Sequence, residues 1–369
     1  MRPSYGDFIL EQERKERRKK RIVISVVVSV LLLIAVGVVA AFCLKNGSFS
    51  LKELFPKKEV MGTAESTEQA VYYSKEELDA AINEAIQTAK AEASAEALAG
   101  IKQYLSEGKS AVEAFREVYT DDLVIAADGA YRFIPIRDDL KHNDYLEENL
   151  QVLDTGEFQY VKDGQVVSYK GIDVSRFQGK IDWEAVAADG VTFAFIRVGN
   201  RGYGSGTVLK DDTFVRNIKG ANAAGVKAGV YFFSQAITEE EAIEEANFVL
   251  EQIAPYQIDC PIVCDMEMIA GDEGRADSLS PEQRTQLIKV FCDTIAAAGH
   301  KPMIYMNLEL AAIRVNLEEL EEYDKWFAYY NPDFYFPYEY KVWQYSESGT
   351  VAGVPEKVDM NICFEPIWE

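Results

Sequence analysis

Ala228-Gly229-Val230-Tyr231-Phe232-Phe233 is followed by Thr238-Glu239-Glu240-Glu241 and then by Ile262-Val263-Cys264-Asp265-Met266. The outer two runs are apolar, β-branched and aromatic, and of strand length. The middle run opens a helix, because Thr with Glu three residues on is a capping box by type and spacing. Strand, helix, strand implies a parallel crossover. The same alternation extends in both directions. Strands are expected at Gly171–Val174, Phe193–Val198, Ala228–Phe233, Ile262–Met266, Pro302–Met306, Lys325–Tyr329, Lys341–Tyr345 and Val358–Cys363. Helices are expected at Asp182–Ala188, Asp211–Ala224, Thr238–Ile253 and Pro281–Ala298, with Gly225 and Gly299 where C-caps belong. Eight strand candidates in about 200 residues predict an α/β fold, a modified (β/α) barrel. The last three candidates leave no room for full helices between them. The barrel should therefore have fewer helices than strands and be irregular at its C-terminal end.

The barrel occupies 169–369 of a 369-residue chain whose net charge is −23. That charge is unevenly placed. Residues 1–21 hold eight bases against four acids, net +4, which leaves −27 on the rest. Residues 22–44 contain no charged side chain, and as a helix they would be about 34 Å long, enough to span a bilayer core. A cleaved signal peptide would have a shorter apolar region. The expectation is an uncleaved transmembrane helix with 1–21 as a basic cytoplasmic tail, because the basic flank stays inside. The remainder would then be extracellular, on a single-pass protein of the cell membrane. The acidic body argues against nucleic acid as a partner.

Residues 45–74 are polar and read as a linker. Residues 75–118 read as a helical stalk that starts at an Ser74 N-cap, with Leu78, Ile82 and Ile86 at helical spacing and a break near Gly100 or Gly108. Alanines along its face make a weak coiled coil, which leaves self-association through the stalk open. Residues 119–168 read as a small β-containing module, with turn signals at Asp128-Gly129 and Asp163-Gly164. Cys260, Cys264, Cys292 and Cys363 stand in apolar contexts and read as small buried hydrophobes, their disulfide state open. With only His142 and His300 in the chain, a histidine-based zinc site or serine triad is a poor candidate. No metal or organic cofactor is expected, and carboxylates are the candidate catalysts.

Four acids stand at the ends of expected strands: Asp173, Asp265, Glu267 and Asp359. In a barrel those ends converge on one rim, where active sites form. Asp265 and Glu267, at i and i+2 of a strand, would face the same way with Met266 turned aside. Carboxylates this close do not titrate independently, and one is driven to keep its proton. A protonated acid beside an anionic partner is what glycosidic cleavage requires. The bland alternative, acids that cap helices or pair with Arg197 and Lys301, fits a lone Asp-x-Glu better than it fits four rim acids. Aromatic and amide side chains on the same strands suit sugar binding; Tyr231, Tyr329, Trp343 and Gln344 are the candidates, although only alternate positions of a strand face inward.

Several motifs together resemble glycoside hydrolase family 25, the Chalaropsis-type lysozymes (N-acetylmuramidases). They are Gly171-Ile172-Asp173-Val174-Ser175 with Gln178-Gly179, Phe195-Ile196-Arg197-Val198-Gly199, Gly229-Val230-Tyr231-Phe232-Phe233-Ser234-Gln235-Ala236, Asp265-x-Glu267, Trp343-Gln344-Tyr345 and Val358-Asp359-x-Asn361. They run in order from about Tyr169 to Phe364. Where many members carry Lys-x-Ser/Thr-Glu-Gly, this chain has Arg197-Val198-Gly199-Asn200-Arg201-Gly202. The resemblance implies hydrolysis of the β-1,4 bond between N-acetylmuramic acid and N-acetylglucosamine in peptidoglycan. It implies Glu267 as acid/base, Asp265 as the carboxylate that steadies the 2-acetamido group, Asp173 and Asp359 as further site acids, and Tyr231 on the sugar-binding floor. Two other readings compete: a non-catalytic glycan-binding wall anchor, and a hydrolase of chitin-like N-acetylglucosamine polymers.

Overall fold

The computed structural model describes residues 75–368. The basic tail, the expected membrane helix, the linker and the Ser74 cap lie outside the described residues. Among the described residues no helix is long and apolar enough to cross a membrane. The first helices are α1 (Lys75–Ser106) and α2 (Ala111–Val118). The break between them falls at Gly108, where φ is +81°. Ser110 and Glu113 then form a full capping box that starts α2.

The module that follows contains two small antiparallel sheets. Strands β1 (Asp122–Ala127) and β2 (Ala130–Pro135) form a hairpin; β3 (Leu150–Val152), β4 (Phe158–Lys162) and β5 (Gln165–Val166) form the other sheet. Both Asp-Gly turns have positive φ at each residue: 51° and 72° at Asp128-Gly129, 51° and 75° at Asp163-Gly164. That is the turn whose twist suits a hairpin.

The barrel begins at β6 (Tyr169–Val174) and continues through α3 (Trp183–Ala188), β7 (Phe193–Arg201), the short β8 (Val208–Lys210), α4 (Phe214–Ala224), β9 (Lys227–Phe233), α5 (Glu239–Ile253), β10 (Ile262–Asp265), α6 (Pro281–Ala297), β11 (Pro302–Asn307), β12 (Asp324–Ala328), β13 (Val342–Gly349) and β14 (Val358–Cys363). The order β6-β14-β13-β12-β11-β10-β9-β7, closed by a β6–β7 pairing, makes a barrel of eight strands among the described residues, with β8 appended to β7. Pairing is parallel from β6 through β7 and β9 to β13. It is antiparallel where β14 joins β13 and β6. The C-terminal irregularity is as expected, since among the described residues no helix separates β12, β13 and β14; in addition, only a π-turn at Leu310–Arg314 and a 3-10 turn at Leu317–Leu320 stand between β11 and β12.

Two differences from the sequence reading matter. Strand β10 stops at Asp265, one residue short of Met266. The Thr238 box is half formed: Thr238 caps Glu241 N–H, but the Glu241 carboxylate accepts from Ile237 N–H instead.

Side chains alternate between two apolar regions. Phe193, Phe195, Val263, Met303, Tyr305, Trp326 and Val342 fill the barrel interior. Gly171 and Gly229 make room there, since a Cβ at either would run into the Phe193 or Phe195 ring. Ile172, Ile196, Val230, Cys264, Ile304, Phe327, Trp343 and Ile362 point outward into the larger core. Helices α4–α6 cover part of that outer face. Over β12–β14 the cover is the 111–168 module. Phe158 stacks on Tyr345 at 4.3 Å between ring centroids, and Tyr145 on Phe364 at 3.9 Å. Arg116 donates to Val124 O and to the Tyr329 hydroxyl, and its guanidinium lies 4.3 Å from the Tyr335 ring centroid. The module is therefore part of the barrel's core. The four described cysteines are buried free thiols.

Truncating a buried aromatic of this kind costs about 3–5 kcal/mol. Phe158→Ala is expected to lower the unfolding free energy by that amount in one cooperative urea transition followed by tryptophan fluorescence. A loss below about 1 kcal/mol would show that the barrel does not depend on the module.

Candidate active site

The barrel's alternation carries chemistry to its C-terminal mouth. Asp173 on β6 lies directly opposite Asp359 on β14 in the antiparallel register. Asp265 ends β10 and pairs with Phe233 and Tyr305 on its two neighbours. Met266 faces the outer core, which lets Glu267 return to the mouth. The four acids, with Tyr231, Tyr305, Trp326, Tyr330, Gln344 and Arg197, line one cleft of about 450 Å³. The buried indole of Trp326 is the centre of the floor. It stacks on Phe195 at 4.6 Å and meets Tyr305 edge-on at 4.7 Å and Tyr231 at 6.0 Å. Phe177 and Tyr330 stand on the lips, 63% and 46% exposed.

Hydrogen bonds fix the state of Asp173. An indole N–H only donates, so Asn361 Oδ1 accepts from Trp326 Nε1 at 2.7 Å, and its amide N–H is left to donate. That N–H reaches Asp173 Oδ2 at 2.9 Å. The Gln344 carbonyl accepts from both Tyr305 and Tyr330 hydroxyls at 2.9 Å, and its Nε2 donates to the same Asp173 oxygen at 2.8 Å. Two amide donors on one oxygen favour the Asp173 anion, against the burial that pushes this carboxyl up. The proton shared between Asp173 and Asp359 accordingly sits on Asp359, whose carboxyl is pushed up to about 9 by burial and by the facing Asp173 charge.

The second pair is Asp265 and Glu267, in hydrogen-bond contact. Burial pushes Glu267 up to about 7. Asp265 is also pushed well up, through burial and then the charges of Glu267 and Asp173, with Arg197 opposing. The two hold one proton between them and titrate as a unit. Asp265 Oδ1 is buried without a hydrogen-bond partner. Arg197 is the guanidinium on the cleft, and it is already bound to the buried Asp211 at 2.7 Å.

The structure brings Glu267, Asp265, Asp173, Asp359, Tyr231 and Gln344 together. It does not bring Tyr329 or Trp343. Both point to the outer face by strand parity: Trp343 is buried in the outer core and donates to Tyr329 O at 2.7 Å, while the Tyr329 ring lies against Phe327 and Tyr335. Gln344 lines the cleft, but its amide is committed to Asp173 and the two tyrosines. Trp326 and Tyr330 belong to the aromatics that the strand pattern puts around the rim, and Asn361 to the Val358-Asp359-x-Asn361 motif, but none of the three has a site role assigned by sequence. Parity alone points to Trp326, two residues before the inward Ala328, and to Asn361, two residues after Asp359.

A closed barrel with two proton-sharing carboxyl pairs over an aromatic floor has the apparatus of a glycoside hydrolase. Comparison with known proteins agrees. Residues 172–354 match the family described as Glycosyl hydrolases family 25. The protein YegX of Escherichia coli K12 is 32% identical over 203 residues, 52% of this chain and 68% of that one. The autolytic lysozyme of Clostridium acetobutylicum is 26% identical over 195 residues, 52% of this chain and 55% of that one. Among solved structures, the autolysin LytC of Streptococcus pneumoniae has a TM-score of 0.49 at 23% identity, over 66% of this chain and 58% of that chain. The chain belongs to glycosyl hydrolase family 25, and is a glycoside hydrolase. It spans only 55% to 68% of the two sequence relatives' own lengths.

The ordinary value for Asp359 is 3.8, and in the folded protein it is about 9. The folded state thus binds this proton more tightly than the unfolded chain does. The stability it confers is complete below about pH 4 and is lost as pH rises towards about 9. Asn at this position stays neutral and still offers an N–H to Asp173. Asp359→Asn is expected to match the unaltered protein near pH 4 and to exceed it by about 1–3 kcal/mol near pH 8 in urea unfolding. Parallel stability curves across that range would overturn the proton assignment.

Proposed function

We propose that this protein is a membrane-anchored peptidoglycan hydrolase that cleaves the β-1,4 bond between N-acetylmuramic acid and N-acetylglucosamine. The observation that carries the chemistry is the proton-sharing Asp265–Glu267 pair at the mouth of an aromatic-floored cleft. The substrate class is supported by relatives named as lysozymes, the Clostridium acetobutylicum protein and Lysozyme M1 of Streptomyces globisporus, which is 41% identical over 66 residues. The anchor is supported by the uncharged run 22–44 behind its basic flank.

In this reading Glu267 protonates the leaving glycosidic oxygen. The Asp265 carboxylate takes the N–H of the 2-acetamido group. Accepting that N–H favours the anion on Asp265 and leaves the shared proton with Glu267. The acetamido oxygen then attacks the anomeric carbon, and Glu267 as base activates the water that opens the intermediate. Sugar faces would stack on the exposed Phe177 and Tyr330 rings and on Tyr231. The acidic body and the length of the stalk suit a resident enzyme working in the wall outside the membrane.

Glu267→Gln is expected to cut clearing of purified cell walls by at least about 10³-fold with the melting temperature unchanged. Activity of the unaltered protein should fall on the alkaline side of a kcat–pH profile, where the Asp265–Glu267 pair gives up its shared proton. Mass spectrometry of the digest should show N-acetylmuramic acid at the new reducing ends. N-acetylglucosamine ends would favour the chitin-like reading, and no digestion would favour the wall anchor. Full-length protein should sediment with membranes, and deletion of 22–44 should release it.

A further inference from the structure

Glu267 lies beyond the regular end of β10 at Asp265. The strand rule that places i and i+2 on one face therefore does not by itself hold Glu267 beside Asp265. Something else must fix it. The segment Ser234–Ile237, which follows β9, runs alongside. Ser234 N–H donates to Asp265 O at 2.7 Å, continuing the β9–β10 ladder by one bond. The next rung is made by a side chain: Gln235 Nε2 donates to Glu267 O at 3.1 Å. The other end of the same amide, Oε1, accepts from Ala276 N–H at 3.4 Å, at the far side of the loop that leaves Glu267.

Gln235 is fully buried, so these bonds are not exchanged for water without cost. Its backbone is in turn held from behind. The Ser234 hydroxyl donates to Glu245 at 2.5 Å, and Glu245, itself fully buried, accepts from Arg201 Nε at 2.7 Å. The loop leaving Glu267 has its own internal brace, since Asp277 accepts from Ile269 N–H and Gly274 N–H. That brace shapes the loop but does not touch Glu267.

We propose that Gln235 is the positioning residue for the general acid: its side-chain amide stands in for the missing β10 ladder bond and holds the Glu267 backbone in hydrogen-bond register with Asp265. Removing it lets Glu267 shift relative to Asp265 while the sugar-binding floor stays intact. This inference rests on Glu267 being the acid, as set out above.

The test is steady-state kinetics on soluble peptidoglycan fragments with the full-length protein. Gln235→Met keeps the volume and loses both polar ends. It is expected to lower kcat about 10- to 100-fold with KM within about twofold, and to move the pH midpoint of kcat, because the separation of the proton-sharing pair changes. Gln235→Glu is isosteric and can donate only when protonated. Its activity relative to the unaltered protein should therefore be highest at low pH and fall as pH rises. Asp277→Asn, which loosens the loop away from Glu267, should leave the pH midpoint in place. An unshifted pH midpoint and near-normal kcat in folded Gln235→Met would overturn the proposal. So would a shift of equal size in Asp277→Asn. If Gln235→Met does not fold, the pH course of Gln235→Glu decides alone. Glu267→Gln in the same assay separates the two claims. If it is active, the assignment of the acid fails. If it is inactive while Gln235→Met is normal, only the positioning role fails.

Discussion

Four carboxyl groups, with Glu347 a fifth and exposed acid on the same cleft, face one another across the mouth of a barrel whose interior is mostly apolar, and the guanidinium that faces them is already bound to Asp211. Four anions at that separation in so little water are not sustainable. The site meets the constraint by pairing the acids and keeping protons. The indole of Trp326, which can only donate, sets the direction of Asn361; Gln344 accepts from two tyrosyl hydroxyls; both amides point donors at Asp173. Asp173 is thereby favoured as the anion of its pair, and Asp359 keeps the proton. With that pair fixed, the remaining mobile proton belongs to Asp265 and Glu267. A floor that would otherwise be called hydrophobic packing is what sorts the charges above it.

Much of this was legible in the chain. The strands were visible because they are apolar on both faces, as barrel strands must be, and the helix starts because Thr, Ser and Pro mark them. The four acids were legible because they fall at strand ends. Strand parity was also there to be used. Trp343 and Gln344 are neighbours and cannot both face the cleft, and Tyr329 has the parity of Phe327, which packs outward. What sequence does not encode locally is where a ladder stops and what takes over. Strand β10 ends at Asp265, and the group that holds Glu267 lies 32 positions away on a different strand's tail. The short strands Leu150–Val152 and Val208–Lys210 escaped for a related reason, since neither is an apolar run and each exists only through its partner.

The helices missing from the C-terminal part of the barrel leave an outer face that cannot stay bare. Phe327, Trp343, Tyr345 and Phe364 point away from the interior, and a patch of that size in water would be a liability. The module of residues 111–168 covers it with Tyr145, Phe158 and Tyr160. Its strands are too short and too few to be stable alone. Each part supplies the surface the other lacks, which is why a boundary drawn at residue 169 from strand patterns alone cuts through a single core.

The module and the site meet at two consecutive residues after β12. The Tyr329 hydroxyl accepts from Arg116 of α2, while the Tyr330 hydroxyl donates to Gln344 above the barrel mouth. One residue ties down the outer cover and the next caps the network that fixes Asp173. A displacement of the module along β12 would therefore be felt first at Tyr330, the lip of the cleft, and only afterwards at the buried acids. The covering layer does more than shield apolar rings: it is bonded to the residue that precedes one lip of the cleft.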